Sequence, residues 1–355
     1  MTPRFHTLRI ARLLPETADA VCIELEVPPQ LQREYAFVQG QHLTLKTDVD
    51  GQEMRRSYSI CAGVDDGVLR VLVKKVTGGI FSSFVHSRLR AGDAIEVLTP
   101  DGRFHTPLDA AQAKHYAAFA AGSGITPIVS LAITTLRREP LSRFTLVYGN
   151  RRQSSILFQE ELEDLKDRYL TRFVLYHVFS REQQDVPLFN GRLDRAKIHA
   201  FAESLLPAST IDEAFVCGPG GMIDEVSAAL LECALPAERI HIERFGVPDA
   251  DASHRVEAED APHALVAVIS DGIQREVEFR KSDPSILDAA LAAGIDLPFA
   301  CKGGVCCTCR AKVLEGRVRM DKNYGLERRE LDAGFVLTCQ SHPLTERVTI
   351  SYDAR

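Results

Sequence analysis

Among its 355 residues the chain has no uninterrupted apolar run of about eighteen, the length a helix needs to cross a bilayer, so no membrane span is expected. Its opening residues, Met1-Thr-Pro-Arg-Phe-His-Thr-Leu8, lack the apolar stretch of a secretory signal. A basic excess is missing too. With 42 Lys+Arg against 49 Asp+Glu the net charge is −7, which argues against nucleic acid as a partner because neutralising phosphates calls for a basic face. Internal repeats and low-complexity tracts are absent.

What is present is ordinary globular composition, 45% hydrophobic and 26% charged, in a chain too long for one small core. Up to about residue 105 the pattern alternates as half-buried strands do. Val21, Ile23, Leu25 and Val27 share one face, as do Leu69, Val71 and Val73, with turn signals at Asp50-Gly51 and Asp66-Gly67. An antiparallel barrel is expected. From about 115 to 245 the pattern becomes strand, loop, helix, with strands at His115–Ala121, Phe144–Tyr148, Arg172–Phe179, Glu213–Cys217 and Arg239–Phe245 and helices at Ile125–Leu136 and Leu157–Tyr169. That alternation implies a parallel sheet covered on both faces. The polar, acidic stretch Gly246 to His263, GVPDADASHRVEAEDAPH, reads as a linker. After it, Ala264–Phe279 reads as a hairpin and Ser285–Ala293 as a helix, with Ser282 or Asp283 to cap it and Pro284 near its first turn.

Nine cysteines are unevenly placed. Cys301, Cys306 and Cys309 stand in Cys-x4-Cys-x2-Cys spacing, and Cys339 follows in Leu337-Thr338-Cys339-Gln340. Three thiolates so spaced, with Gly303 and Gly304 freeing backbone N–H groups to turn inward, fit a plant-type [2Fe-2S] cluster whose fourth corner Cys339 closes. A zinc site usually pairs two Cys-x2-Cys knuckles, and these ligands contain one, Cys306 and Cys309. Cys307 is an alternative thiolate that the spacing disfavours. Cys22, Cys61, Cys217 and Cys233 read as small buried residues. Thiolates that must stay reduced point to the cytoplasm.

Other segments carry ligand chemistry. Arg56-Ser57-Tyr58-Ser59 offers a guanidinium for a pyrophosphate, a phenol to lie along a flavin, and a hydroxyl for its reactive edge; by itself an exposed strand end is the plainer reading. Leu72-Val73-Lys74, then Gly79-Ile80-Phe81-Ser82 at a helix entry, suit a second phosphate contact. Gly122-Ser123-Gly124-Ile125-Thr126-Pro127 joins a strand to a helix whose N-terminus faces an anion, although Pro127 stands where a dinucleotide fingerprint would have its third glycine. Ser180-Arg181 falls at the carboxyl edge of the sheet, where a fixed cation suits a 2′-phosphate and the pair reads equally as a solvated loop. Cys217-Gly218 and Glu243-Arg244-Phe245 close the last two strands at the same edge.

Taken together these motifs resemble the ferredoxin–NADP reductase superfamily with a plant-type ferredoxin module fused at the C-terminus, along essentially the whole chain. The resemblance implies a multidomain protein: an antiparallel β-barrel FAD domain (1–107), an α/β parallel-sheet NAD(P) domain (108–247), a linker (248–262) and an α+β β-grasp ferredoxin domain (263–355). It implies flavin contacts from Arg56, Ser57, Tyr58, Ser59, Leu72, Val73, Lys74, Gly79, Ile80, Phe81, Ser82 and Phe245. Nucleotide contacts come from Gly122, Ser123, Gly124, Thr126, Ser180, Arg181, Cys217 and Gly218, with Ser59, Cys217 and Glu243 positioning hydride transfer. Cofactors are then FAD, [2Fe-2S] and NADPH, with NADH as the other donor. Phe245 replaces the tyrosine of the plastid enzymes and is not chain-terminal. The lysine and tyrosine that complete their 2′-phosphate pocket have no match after Arg181. Domain order implies an oxidoreductase that serves an oxygenase component, and the resemblance of the stretches Phe179-Ser-Arg-Glu-Gln, Pro187-Leu-Phe-Asn-Gly-Arg-Leu-Asp194 and Cys301 to Cys309 favours a diiron epoxidase over a Rieske ring-hydroxylating or steroid-hydroxylating system. A redox-sensing adaptor without a nicotinamide site is the non-enzyme alternative.

Overall fold

The computed structural model describes residues 4–246, 257 and 259–354. Most of the stretch read as a linker, residues 247–256 and 258, lies outside the described residues. The chain divides into two compact units, a larger one covering residues 6–54 and 58–245 and a smaller one that joins the N-terminal residues up to Phe5 and Arg55–Ser57 of β4 to the chain from Gly246 onward.

The larger unit begins with β1 (Phe5–Thr17), β2 (Ala20–Glu26), β3 (His42–Val49), β4 (Gln52–Ser59), β5 (Leu69–Lys74), α1 (Ile80–Ser87) and β6 (Ala94–Leu98). The strands form one sheet in the order β4-β3-β6-β1-β2-β5, and an antiparallel bridge from Ile60 to Val71 joins its two outer members. Period-two alternation explains the closure. Ile23, Leu25, Leu43, Leu45, Val71 and Val73 all turn into one core, each burial contributing about 1.5–3 kcal/mol. Asp50 and Gly51, both at positive φ, make the tight turn between β3 and β4.

Next come β7 (His115–Ala121), α2 (Ile125–Arg138), β8 (Arg143–Asn150), α3 (Gln159–Arg168), β9 (Phe173–Phe179), α4 (Arg195–Ser204), β10 (Glu213–Gly218), α5 (Gly220–Glu232) and β11 (Ile240–Arg244). These strands lie parallel in the order β11-β10-β7-β8-β9. Residues of β7 alternate between two cores. Tyr116, Ala118 and Ala120 pack with α2 and α3, while Ala117 and Phe119 pack with α4 and α5. The first of these cores also takes in Cys22, Cys61, Leu72 and Phe104 from the barrel, which is why α2 is buried nearly all round. Ion pairs Arg137–Asp66 (2.8 Å), Arg138–Asp65 (2.6 Å) and Arg70–Glu161 (3.1 Å) rim the same junction. Barrel and parallel sheet therefore share one continuous interior.

The smaller unit contains β12 (His263–Ser270), β13 (Ile273–Arg280), α6 (Ile286–Ala292), β14 (Arg310–Glu315), β15 (Val318–Met320), α7 (Arg328–Asp332), β16 (Phe335–Leu337), β17 (Ser341–Pro343) and β18 (Arg347–Ser351). Its main sheet runs β13-β12-β18-β14-β16, with β15-β17 as a separate ribbon and α6 packed on the sheet core. The cap of α6 is Ser285, whose Oγ accepts from Asp288 N at 3.1 Å, rather than Ser282 or Asp283; Pro284 precedes the cap instead of entering the first turn. Asp260 and Ala261, read as linker, are buried here, and Asp260 pairs with Arg319. Among the described residues no helix is long and apolar enough to cross a membrane.

Candidate functional sites

Two clusters of chemistry emerge, one in each unit. The first lies at the carboxyl edge of the parallel sheet. Parallel register sets Cys217 of β10 beside Glu243 of β11. Ser59, at the end of β4 and buried, donates its hydroxyl to Glu243 Oε2 at 2.9 Å across 184 positions of sequence. All three residues expected to position hydride transfer are therefore brought together. Burial pushes the Glu243 carboxyl up to about 8 while the Ser59 hydrogen bond pulls the other way. Burial, with Glu243 adding to it, also raises the Cys217 thiol, so that sulfur stays protonated and apolar instead of acting as a nucleophile.

Glycines give this edge its shape. Gly122–Gly124 form a single tight turn after β7, and a Cβ on Gly124 would lie 2.2 Å from the Cys217 carbonyl oxygen. Only a glycine lets the two loops pass so closely. Gly122 has φ +55 with open space where its Cβ would be, and Tyr148 holds its carbonyl through a 3.0 Å hydrogen bond. Thr126 Oγ1 donates back to Ser123 O at 3.0 Å, securing the start of α2, and Pro127 sits in its first turn, where a missing N–H costs nothing. A Cβ on Gly218 would meet Met222 Cε at 2.8 Å and the Ala121 N–H at 3.2 Å. No side chain stands over Gly122 at the entry to α2, which suits a pyrophosphate.

Farther along the edge, Ser180 N donates to Asn150 O (3.0 Å) and Arg181 N to Arg151 O (2.9 Å). These bonds set the exposed Ser180-Arg181 beside Arg151-Arg152. All three arginines are exposed, and the Glu182 carboxylate accepts from Gln153 N at 3.0 Å within the same pair of loops. Arg151 and Arg152 escaped the sequence reading. Their signal was a double arginine directly after a strand, at the edge where ligands bind.

Barrel residues fall into two kinds. Tyr58 lies beside Phe81, ring centroids 5.9 Å apart, and Arg56 is exposed on β4 with Nη1 donating to Arg55 O at 2.7 Å; Ser57 is half-buried between them. Gly79 caps α1 ahead of Ile80, which is 52% exposed, so this helix start presents an uncovered apolar side chain and free N–H groups. Ser82 differs from expectation, because its hydroxyl accepts from Val76 N (3.1 Å) and donates to Gly79 O (3.2 Å), closing the turn rather than facing an anion. Leu72 and Val73 point into cores and Lys74 pairs with Asp19 at 3.5 Å, so of this trio the backbone is what remains to meet a ligand. Phe245, just past β11, is 43% exposed.

The second cluster is the cysteine loop of the smaller unit. Its four sulfurs fall into two pairs, Cys301 hydrogen-bonded with Cys306, and Cys309 with Cys339. The Cys306 thiol pulls the Cys301 thiol down to about 5 against the cost of burial, helped by the N–H groups of Gly303 (3.3 Å to Sγ) and Cys306 (3.5 Å). Cys309 is pushed up by its bond with Cys339 and by burial. Beside them Thr308 carries a buried hydroxyl without an oxygen or nitrogen partner, directed at the Cys306 sulfur. Cys307 adopts a left-handed φ of +56, and its sulfur lies against Val305 O (3.9 Å) and the α-carbon side of Gly325. No set of three or more Cys, His, Asp or Glu among the described residues surrounds one point closely enough to hold a single ion. Two cysteine pairs, with the Gly303 and Cys306 N–H groups turned on the Cys301 sulfur, fit a binuclear iron–sulfur group.

Profile matches follow the same order along the chain: an oxidoreductase FAD-binding domain over residues 16–106, an oxidoreductase NAD-binding domain over 119–228, and a 2Fe-2S iron-sulfur cluster binding domain over 268–344. The chain belongs to the ferredoxin–NADP reductase superfamily, in the three-domain arrangement of phthalate dioxygenase reductase, and is a flavin- and nicotinamide-dependent oxidoreductase. It is 46% identical over 351 residues to one of the subunits of the 1,2-phenylacetyl-CoA epoxidase of Escherichia coli (strain K12), covering 99% of this chain and 98% of that one. To the ferredoxin reductase component of 3-ketosteroid-9-alpha-monooxygenase of Rhodococcus rhodochrous it is 35% identical, covering 97% and 96%. The solved structure of phthalate dioxygenase reductase matches 98% of each chain with a TM-score of 0.61 at 24% identity, which bears on the fold.

Proposed function

We propose that this chain is the cytoplasmic reductase component of a multicomponent oxygenase, drawing electrons from NADPH through FAD and [2Fe-2S] and delivering them to a diiron epoxidase that acts on phenylacetyl-CoA in aerobic phenylacetate degradation. The observation that carries the partner is the 46% identity, spread over the whole length, to the epoxidase component of Escherichia coli. Flavin contacts are assigned to Arg56, Ser57, Tyr58, Ser59 and the Gly79–Phe81 helix entry, within a flavin domain of residues 1–107. The Gly122–Thr126 turn and Cys217-Gly218 serve the nucleotide in residues 108–247. Cys301, Cys306, Cys309 and Cys339 serve the cluster in residues 263–355.

When bound, the flavin supplies the exchange between a two-electron hydride donor and single-electron deliveries. The chain's part is positional. Below about pH 8 Glu243 holds its proton, so with Ser59 it offers a neutral, hydrogen-bonded pair at the edge where hydride is exchanged. Cys217 keeps an uncharged, polarisable sulfur against the same point, and the glycines on either side let a planar ring approach the backbone. Preference for NADPH over NADH is supported by Arg181, exposed in a loop whose backbone is tied to Arg151, because a guanidinium suits a 2′-phosphate.

Mixing the holoprotein with NADPH, the diiron oxygenase component and phenylacetyl-CoA tests the reading. Oxygen uptake that depends on the acyl-CoA and yields the ring epoxide is expected. Rapid reduction of dyes without reduction of the oxygenase would sink the partner assignment and leave the reductase class standing.

A further inference from the structure

Gln340, one residue beyond Cys339, is 2% exposed. Its Nε2 donates to Lys302 O at 2.9 Å and Cys339 O at 2.8 Å, with Cys339 Sγ 3.7 Å away. Its backbone carbonyl accepts from Asp321 N at 2.8 Å. Its Cγ lies 3.3 Å from where Gly304, at φ +76, would carry a Cβ, so that glycine leaves the room the glutamine fills. Three segments around the cysteines, the 302–304 loop, Asp321 and Cys339, meet on this one residue. An apolar residue of the same length would fill the space without the cost of burying an amide, so the amide group itself needs a reason.

Resting on the reading of Cys301, Cys306, Cys309 and Cys339 as cluster ligands, we infer that Gln340 is a positioning residue that sets the cluster's reduction potential. Its amide ties the loop carrying Cys301 to Cys339 and, with two N–H groups for three acceptors, shares one of them with the Cys339 sulfur at 3.7 Å. Hydrogen bonds to ligand sulfurs are among the factors that set such potentials, since they stabilise the more negative, reduced state. The partner ligand is braced in parallel. Thr338 donates to the Cys309 carbonyl through both N (3.2 Å) and Oγ1 (3.0 Å), which leaves Tyr352 OH to donate to Thr338 Oγ1 at 2.6 Å. The Cys309–Cys339 pair thus draws on buried side chains, while Cys301 draws on backbone N–H groups.

The test uses the full-length holoprotein. A binuclear iron count and a rhombic electron paramagnetic resonance signal on reduction come first, and without them the ligand reading fails before this inference is reached. With them, Gln340→Met and Gln340→Glu are expected to shift the cluster midpoint to more negative potential, further for the carboxylate, with unchanged bleaching of the flavin by NADPH. Midpoints equal to that of the parent at full iron content overturn the inference. Should Gln340→Met lose its iron, Gln340→His, which keeps a ring N–H, is expected to retain it, and loss in both variants counts against the donor. Independently, parent protein isotope-labelled at the glutamine side-chain nitrogen is expected to show a hyperfine coupling from that nitrogen in the reduced cluster. Its absence overturns the inference whatever the variants do.

Discussion

The sheet edge proposed for hydride transfer and the cysteine loop are built by opposite means. At the edge of the parallel sheet, Ser59 and Glu243 come from strands 184 positions apart, and their meeting depends on the core shared by barrel and sheet. In the loop, Cys301, Cys306 and Cys309 lie within nine residues, and their N–H partners come from the same stretch. The first site is a product of packing, and the second is close to a local conformation with one distant ligand added. Damage to packing should therefore disable the first and spare the second, and damage to a ligand should do the reverse.

The largest effect is expected from Cys309→Ser, which breaks one dithiolate pair: visible iron–sulfur absorption and bound iron should be lost while NADPH still bleaches the flavin. Next is Gly124→Ala, which drives a methyl into the Cys217 carbonyl. Overpacking against backbone should cost roughly 2–3 kcal/mol in urea unfolding of the larger unit, and iron content should stay at the parent level. Equal losses in both units would break the contrast.

Glu243→Gln sharpens the comparison at one atom. Hydride transfer in stopped flow should slow by about tenfold to a hundredfold. Its stability effect has a defined sign. A carboxyl raised from its ordinary 4.5 to about 8 binds more protons folded than unfolded between those values, so the parent loses stability as pH rises through that window. The amide should flatten the slope by roughly 2 kcal/mol, a figure well below full linkage because the side chain is partly exposed. Chemical unfolding at pH 5 and pH 8 checks it.

A smaller effect is expected for Arg181→Ala, which should raise KM for NADPH roughly tenfold and leave that for NADH nearly unchanged, in line with about 1.5–3 kcal/mol for a charge-assisted hydrogen bond. Smallest of all is Cys307→Ser. Its sulfur lies against Val305 and Gly325, so iron content and the reduced-cluster signal should match the parent.

Much of the architecture could be read along the chain. Period-two alternation in β2 and β5 marked the barrel interior, and the strand–helix repeat marked the parallel sheet, because both patterns report which faces lose water. Side-chain direction was less legible. Leu72, Val73 and Ser82 were expected at the flavin, yet the first two complete cores and the third closes its own turn. A motif names residues without saying which atom is left over once local hydrogen bonds and packing are satisfied.

The spacing of the cysteines by itself pointed to three thiolates within one nine-residue loop and a fourth at Cys339, since ligand spacing over nine residues is limited by the reach of the backbone. Only the tertiary structure decided that Glu243 meets Ser59 and keeps a proton near neutrality, that Arg151 joins Arg181, and that Gln340 bridges Lys302 to Cys339. Those contacts span strands distant in the chain, and burial, which sets both their geometry and their charge, exists only after the cores have closed.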